Sequence, residues 1–234
     1  VWEGSADKNA VFMQDLKGGV GKGKVIELLP SFDGQYGFVD NEGPVFWMTT
    51  TTGAPRGRLI AVDTRKANAA DPASWTTIVP EAAETLRGAS MVGGRFFLNY
   101  LKDAHTQIVV FARDGKRVRE LALPGLGTAG GFGGKKGAKD LFYAFTSYTT
   151  PSTIYRHDVA TGESEVFRQP KVDFDPAQYE TSQVFITSKD GTKVPMFVTH
   201  KKGLVKDGQN PTYLYGYGGF NVALTPSFSV ADLT

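Results

Sequence analysis

A sequence pattern that recurs about every 50 residues constrains the fold of this chain more than any other feature. Each copy has an aromatic-rich segment, then a segment that ends in a polar turn, then a shorter segment that usually ends near proline. The aromatic residues Phe46, Phe97 and Phe142 are 51 and 45 residues apart. The segments of the three copies are 45–50, 58–64 and 75–80; 95–101, 107–115 and 118–125; 141–147, 153–162 and 164–170.

A fourth segment completes each unit. Residues 85–92 and 126–134 precede aromatic segments and suit an innermost strand, and residues 11–16 and 25–30 form an incomplete earlier copy. Four strands per unit at this period are typical of a β-propeller blade. A β-sandwich or barrel also alternates aromatic residues with turns, but it has no reason to repeat one order at a fixed spacing. We expect about three and a half blades, too few to close a ring, and therefore a piece of a longer polypeptide.

The composition excludes several classes of protein. The 234 residues carry a net charge of +2 with scattered basic residues, which favours neither nucleic acid nor a membrane surface as a partner. The absence of cysteine excludes disulfides, thiolate metal sites and a cysteine nucleophile. No apolar run approaches the roughly 20 residues that a membrane helix needs. With 41% hydrophobic residues, the chain is expected to bury a sizeable core.

The pattern changes near residue 175. Residues 171–180 indicate a linker, and residues 182–188 and 192–200 predict a β-hairpin around a Lys-Asp-Gly turn. A polar loop follows, and residues 212–221 predict a strand that runs into glycines. Two antiparallel strands, a loop and such a strand are similar to the start of an α/β-hydrolase sheet.

The end of the chain resembles the catalytic domain of the prolyl oligopeptidase family. The resemblance covers residues 188–229 and is carried above all by LYGYGGFN at 214–221. Residues 37–50 and 154–158 are similar to the later propeller blades of the same family. The resemblance thus extends over essentially the whole chain, and it is most specific after residue 181.

This resemblance implies an architecture and an activity. Members of the family have a seven-bladed propeller on an α/β-hydrolase domain, and they are serine endopeptidases that cleave short peptides on the carboxyl side of proline, without a metal or cofactor. The propeller would act as a size filter. Residues 1–176 would be a partial propeller domain and residues 177–234 the N-terminal part of the peptidase domain. We expect a proline-containing peptide as substrate, a monomer when complete, and a cytoplasmic location, with a periplasmic one as the alternative.

The Ser-His-Asp triad of the family is not found in the sequence. No G-x-S-x-G motif occurs. The histidines His105, His157 and His200 fall in a blade turn, a blade strand and a hairpin strand, and each is expected to be an ordinary surface or strand histidine. The resemblance places the triad beyond Thr234, so the segment alone is expected to be inactive.

Tyr217 is the residue of this chain that resembles a catalytic group. In the family, the tyrosine before Gly-Gly-Phe directs its hydroxyl into the oxyanion hole, where a neutral donor stabilises the developing negative charge. Glycine permits a positive φ and a close approach of the backbone to a ligand, as an oxyanion loop requires. Three glycines flank the tyrosine, Gly216, Gly218 and Gly219. The residues alone favour a different interpretation, in which Tyr213, Tyr215 and Tyr217 line one face of a strand.

Phe220 matches the family residue that forms an aromatic wall of the proline pocket, and its alternative is a core phenylalanine. The next residue, Asn221, is assigned a structural role in the loop. Gln14 stands near the place of a substrate-lining cysteine in the family, which leaves the preference of the distal subsite open.

Two other functions stay open from the sequence. A non-catalytic β-propeller binding module would explain the repeat, but it has no reason to contain the segment 213–221. A superfamily relative with dibasic preference would need acidic pocket residues that lie outside this chain, and Phe220 argues weakly against it.

Overall fold

The computed structural model describes residues 1–2, 7–16 and 18–230, and its regular structure is almost entirely antiparallel β-sheet. The strands are β1 (Val11–Gln14), β2 (Val25–Leu29), β3 (Tyr36–Glu42), β4 (Val45–Thr50), β5 (Arg58–Asp63), β6 (Thr76–Val79), β7 (Thr85–Val92), β8 (Arg95–Lys102), β9 (His105–Ala112), β10 (Arg117–Glu120), β11 (Thr128–Gly130), β12 (Asp140–Thr146), β13 (Thr153–Asp158), β14 (Ser164–Arg168), β15 (Tyr179–Thr187) and β16 (Lys193–Lys201). Short 3-10 turns occur at Pro72–Ser74 and Pro176–Gln178. Among the described residues, no helix is long and apolar enough to span a membrane.

Three four-stranded sheets follow one another along the chain. They contain β3 to β6, β7 to β10 and β11 to β14, and in each sheet every strand pairs with the next one in sequence. Strands β1 and β2 form a separate two-stranded sheet. The aromatic segments are the second strands of these sheets, and residues 85–92 coincide with the first strand β7. The predicted series of all-β, propeller-like sheets is therefore confirmed, whereas the predicted α/β-hydrolase part is not shown.

Burial on both faces explains the aromatic segments. Successive residues of a strand point to opposite faces of its sheet. In β8, Phe96, Phe97 and Leu98 are all buried, so both faces of this strand are covered. Phe96 contacts Trp47 of β4 edge to face, with ring centroids 5.5 Å apart, inside the main hydrophobic cluster. An aromatic second strand thus supplies apolar surface on both faces of its sheet.

Buried polar side chains form hydrogen bonds to the backbone of β3 and β11, the first strands of two sheets. Asn9 Oδ1 accepts from the Tyr36 N–H at 2.7 Å, and Asn9 Nδ2 donates to the Tyr36 carbonyl at 3.1 Å. The Thr106 hydroxyl accepts from the Ala129 N–H at 3.0 Å. Each side chain takes the place of a missing strand partner, because a buried peptide group needs a hydrogen bond.

Two cations lie close to the indole ring of Trp47. Arg113 is 5.1 Å and Lys136 is 5.6 Å from its ring centre. Lys136 pairs with Asp40 at 3.3 Å, and Arg113 forms an ion pair with Glu42. The C-terminal half of β3 is thus joined to the turn between β9 and β10 and to the loop between β11 and β12.

The C-terminal part of the described chain contains one hairpin. Strands β15 and β16 pair in continuous register from Tyr179 with Lys201 to Thr187 with Lys193, which confirms the predicted hairpin. The strand predicted over 212–221 is wrong, because residues 212–218 form no strand. A strand requires a neighbour for its N–H and carbonyl groups, and no described strand pairs with this segment.

The chain divides into two compact units that alternate along the sequence. The first contains residues 1–100, 109–120 and 135–137, and the second contains residues 101–108, 121–134 and 138–234. The domain division at residues 176 and 177 stays a prediction. Residues 3–6 and 17 of the first predicted domain, and residues 231–234 of the second, lie outside the described residues.

Candidate functional site

The chain that follows the candidate site is attached to the last four-stranded sheet. The Thr128 hydroxyl on β11 donates to the Pro226 carbonyl at 2.7 Å, and the Phe228 N–H donates to the Thr146 hydroxyl at 3.2 Å. The Phe228 ring contacts Phe174 edge to face at 5.4 Å. The sequence does not predict this attachment, because a threonine in a strand gives no indication of a hydrogen-bond partner about 80 to 100 residues away.

Tyr217 lies in the extended, irregular segment before a tight turn. Its side chain is 49% exposed, and its hydroxyl has no hydrogen-bond partner among the described residues. The more exposed Tyr213 and Tyr215 stack with ring centroids 6.3 Å apart. Because residues 212–218 are not a strand, the interpretation that three tyrosines line a strand face is wrong. The phenol of Tyr217 is therefore an available hydrogen-bond donor.

Gly219 gives the Tyr217 side chain the space that it occupies. A β-carbon at Gly219 would lie 2.9 Å from the Tyr217 hydroxyl oxygen and 3.2 Å from the ring carbon that bears it. A β-carbon at Gly216 or Gly218 would meet no atom within 4 Å. Of the three flanking glycines, Gly219 is thus the one at which a larger residue would collide with the Tyr217 side chain.

A positive φ occurs in this segment, but not at the glycines. The Val222 N–H donates to the Gly219 carbonyl at 3.1 Å, which closes a β-turn. Its central residues Phe220 and Asn221 have φ values of 56° and 54°. The expectation that the flanking glycines supply the positive φ is therefore wrong, since the turn begins only at Gly219. The left-handed region is costly for a bulky residue such as phenylalanine.

Phe220 combines this backbone strain with exposure. Its side chain is 92% exposed, so the alternative of a core phenylalanine is wrong in this structure. A strained backbone conformation costs on the order of 1–3 kcal/mol and persists at sites where function requires it. Neither the strain nor the exposed ring contributes to the stability of the described chain. Both are compatible with a surface for a ligand.

The histidines occupy structural positions. His157 Nδ1 is 2.9 Å from the Ser164 hydroxyl, a pairing of the kind that activates a serine, but the imidazole is fully buried and no substrate can reach it. His200 lies opposite Glu180 on the hairpin, 3.6 Å from its carboxylate. His105 is at the start of β9, rather than in a turn.

Gln14 and the possible metal ligands are the remaining candidate groups. Gln14, at the end of β1, donates from its amide to the Gly23 carbonyl at 2.5 Å, so its side chain is held against its own hairpin. The described residues contain no group of histidine, aspartate and glutamate side chains that could hold a metal ion.

Comparison with known proteins decides the family of the chain. Residues 1–170 match the family described as "Prolyl oligopeptidase, N-terminal beta-propeller domain". The chain belongs to the prolyl oligopeptidase family. The prolyl endopeptidase of Elizabethkingia miricola is 45% identical over 224 residues, which are 96% of this chain and 31% of that protein. The prolyl endopeptidase of Dictyostelium discoideum is 33% identical over 221 residues, 90% of this chain and 29% of its own length.

Solved structures of the prolyl oligopeptidase family are also similar. One, from a study of two prolyl endopeptidases, superposes with a TM-score of 0.84 and 42% identity over 97% of this chain and 32% of its own. Prolyl oligopeptidase B from Galerina marginata, bound to a 35-residue substrate for hydrolysis and macrocyclization, gives a TM-score of 0.84 and 27% identity, with 96% of this chain and 32% of its own covered. The chain spans about a third of the length of these relatives.

Proposed function

We propose that the chain is the propeller-bearing part of a serine endopeptidase that cleaves short peptides on the carboxyl side of proline. One observation carries this proposal. The similarity to named prolyl endopeptidases covers 96% of the chain, and so it continues beyond the propeller match at residues 1–170 into the segment of Tyr217. In this proposal, residues 177–234 begin the α/β-hydrolase domain, whose later part supplies the triad. The propeller excludes folded proteins and admits short peptides.

In this mechanism Tyr217 is a donor of the oxyanion hole. The serine attacks the carbonyl carbon after proline, and the carbonyl oxygen gains negative charge in the tetrahedral intermediate. The phenol O–H donates to that oxygen together with a backbone N–H beside the serine. The half-exposed hydroxyl, without a partner among the described residues, supports the role. Loss of one such donor typically costs about 2.7–4 kcal/mol of transition-state stabilisation.

Phe220 is proposed as the wall of the pocket for proline. A pyrrolidine ring offers a flat apolar face, and contact with the phenyl ring would remove both from water. The exposed Phe220 ring and its left-handed backbone support this assignment. An aromatic wall favours proline over basic side chains, which need carboxylates. The monomeric state, the cytoplasmic location and the preference of the distal subsite stay predictions.

A chimera tests the proposal. Residues 1–234 of this chain replace the corresponding segment of the Elizabethkingia miricola prolyl endopeptidase, which retains its own remaining residues. We expect hydrolysis after proline in a short chromogenic peptide, and no hydrolysis of a folded protein that contains exposed proline. A folded chimera that binds the peptide without cleaving it would instead indicate a binding module. Cleavage after paired basic residues would indicate the dibasic preference.

A further inference from the structure

A cavity of about 300 Å³ lies in the first compact unit, between the neighbouring strands β3 and β7. It is lined by Gly37 and Phe38 of β3, by Arg87 and Gly88 of β7, and by residues near the end of β4. Strands β3 and β7 are each the first strand of a four-stranded sheet. In a complete propeller, whose blades surround a central channel, an innermost position of these first strands would place the cavity at the channel.

Glycines permit close packing beside this cavity. A β-carbon at Gly37 would lie 2.6 Å from the Thr49 hydroxyl oxygen. A β-carbon at Gly57 would lie 3.0 Å from that of Leu86, and Gly57 has a φ of 86°. The packing of the residues that line the cavity thus depends on two residues that lack side chains.

Arg87 gives the cavity a positive charge. Its side chain is exposed, and no acidic side chain in the described part of the chain pairs with it. The acidic residues Asp40 and Glu42 of β3 are paired with Lys136 and Arg113, and Asp33 accepts a hydrogen bond from the Tyr36 hydroxyl. None of the described residues that line the cavity is acidic. Because a guanidinium stays charged at all physiological pH values, the cavity presents a permanent cation.

Neutral donors accompany this cation. The Thr51 hydroxyl accepts from the Gln35 N–H at 2.8 Å, which leaves its own O–H free to donate. Gln35 also lines the cavity and carries an amide group with two further N–H bonds. A guanidinium with neutral donors, in a cleft whose described lining residues include no acid, suits a planar carboxylate, which arginine binds through two parallel hydrogen bonds.

We propose that this cavity is a subsite for a carboxylate of a peptide in the channel, bound by Arg87. The carboxylate is either an acidic side chain or the free C-terminus of the peptide, since both present the same group. The inference rests on the proposed function, because that function brings a peptide into the channel. The inferred carboxylate subsite does not require that this chain cleaves the peptide.

Direct binding to the 234-residue chain tests the subsite. The probes are four versions of one proline-containing hexapeptide, with Glu or Gln at an internal position and with a free or an amidated C-terminus. Isothermal titration at about 0.15 M salt limits long-range attraction. At least one carboxylate is expected to tighten binding about tenfold or more, as a charged hydrogen bond does. The version that gains affinity identifies the source of the carboxylate.

Two substitutions test whether the gain in peptide affinity from a carboxylate depends on Arg87 in the cavity. Arg87→Gln is expected to remove the affinity difference between charged and neutral peptides. Arg168→Gln, which removes an exposed arginine on β14, is expected to leave it unchanged. Equal affinity for all four peptides, or the same loss in both variants, would overturn the proposal.

Unfolding temperatures establish that each variant is folded. A chimera that fails to cleave would defeat the proposed function, while the carboxylate-dependent binding would still be measurable.

Discussion

The hydroxyl oxygen of Tyr217 lies over the α-carbon of Gly219, where a β-carbon would be only 2.9 Å away. Gly219 therefore affects Tyr217 by the space that it leaves for the side chain, and not by an unusual backbone conformation. The hydroxyl can hold its position because residue 219 has no side chain. A phenol that donates to an oxyanion must be positioned closely, since catalytic hydrogen bonds depend on distances of about 2.7–3.1 Å.

Gly219→Ala is therefore expected to displace the Tyr217 hydroxyl at little cost in stability, because the end of a side chain can move. In the chimera we expect kcat to fall about tenfold, less than on complete loss of the donor. Gly218→Ala is the control, because a β-carbon there contacts nothing within 4 Å. Steady-state kinetics and unfolding temperatures of both variants provide the test. Equal kcat values for the two variants would show that the contact does not position the hydroxyl.

The substitution Phe220→Asn distinguishes the effect of backbone strain at residue 220 from the effect of the aromatic ring on substrate binding. Asparagine tolerates the left-handed region better than phenylalanine, so the unfolding temperature is expected to stay the same or rise. Loss of the aromatic wall is expected to lower kcat/KM for a proline peptide roughly tenfold to hundredfold in the chimera. Tyr213→Asn, at another exposed aromatic residue, should change neither quantity greatly. A parallel loss of stability and activity in Phe220→Asn would contradict the pocket assignment.

Alkaline pH is expected to destabilise the first compact unit through Tyr36. Burial, and then its hydrogen bond to Asp33 at 2.6 Å, raises the pKa of Tyr36 from 10.0 to about 12. The native state thus keeps a proton that the unfolded chain releases. The resulting stabilisation is fully present below pH 10 and is lost between pH 10 and about pH 12, by about 2–3 kcal/mol.

Urea unfolding between pH 8 and pH 12 measures this loss. Burial raises the pKa of Tyr100 to about 12 as well, and it also raises the pKa values of Tyr143 and Tyr155, so several tyrosines contribute to the decline. Tyr36→Phe is expected to remove one part of the decline and to lower stability at pH 8 by about 1 kcal/mol, through its lost hydrogen bonds. Tyr213→Phe, at an exposed tyrosine, should leave the whole curve unchanged. A decline that Tyr36→Phe does not alter would assign the loss to other groups.

Strands could be predicted from the sequence where the local pattern of apolar residues determines them. Residues 45–50 and 85–92 were predicted as strands and form β4 and β7, because each carries enough apolar surface to be buried by its neighbours. The segment 212–221 has a similar pattern but no strand to pair with among the described residues. Strand formation depends on the partner as well as on the strand.

Contacts between residues that are distant along the chain could not be predicted from the sequence. The cations around Trp47, the Asn9 link to Tyr36 and the cavity at Arg87 all join residues far apart along the chain. The left-handed φ at Phe220 was also unpredictable, since glycines stand directly before it and would adopt that conformation at lower cost. At the candidate site, the family resemblance supplied the residues and the structure supplied their exposure and spacing.

The most direct test of the account is the turnover of the chimera with Tyr217→Phe. This change removes one hydroxyl and keeps the ring, so a proline peptide should bind with nearly the same KM. We predict that kcat falls about 10²- to 10³-fold, as on loss of an oxyanion donor, while Tyr215→Phe retains full activity. A kcat within twofold of the unsubstituted chimera would contradict the assignment of Tyr217 to the oxyanion hole.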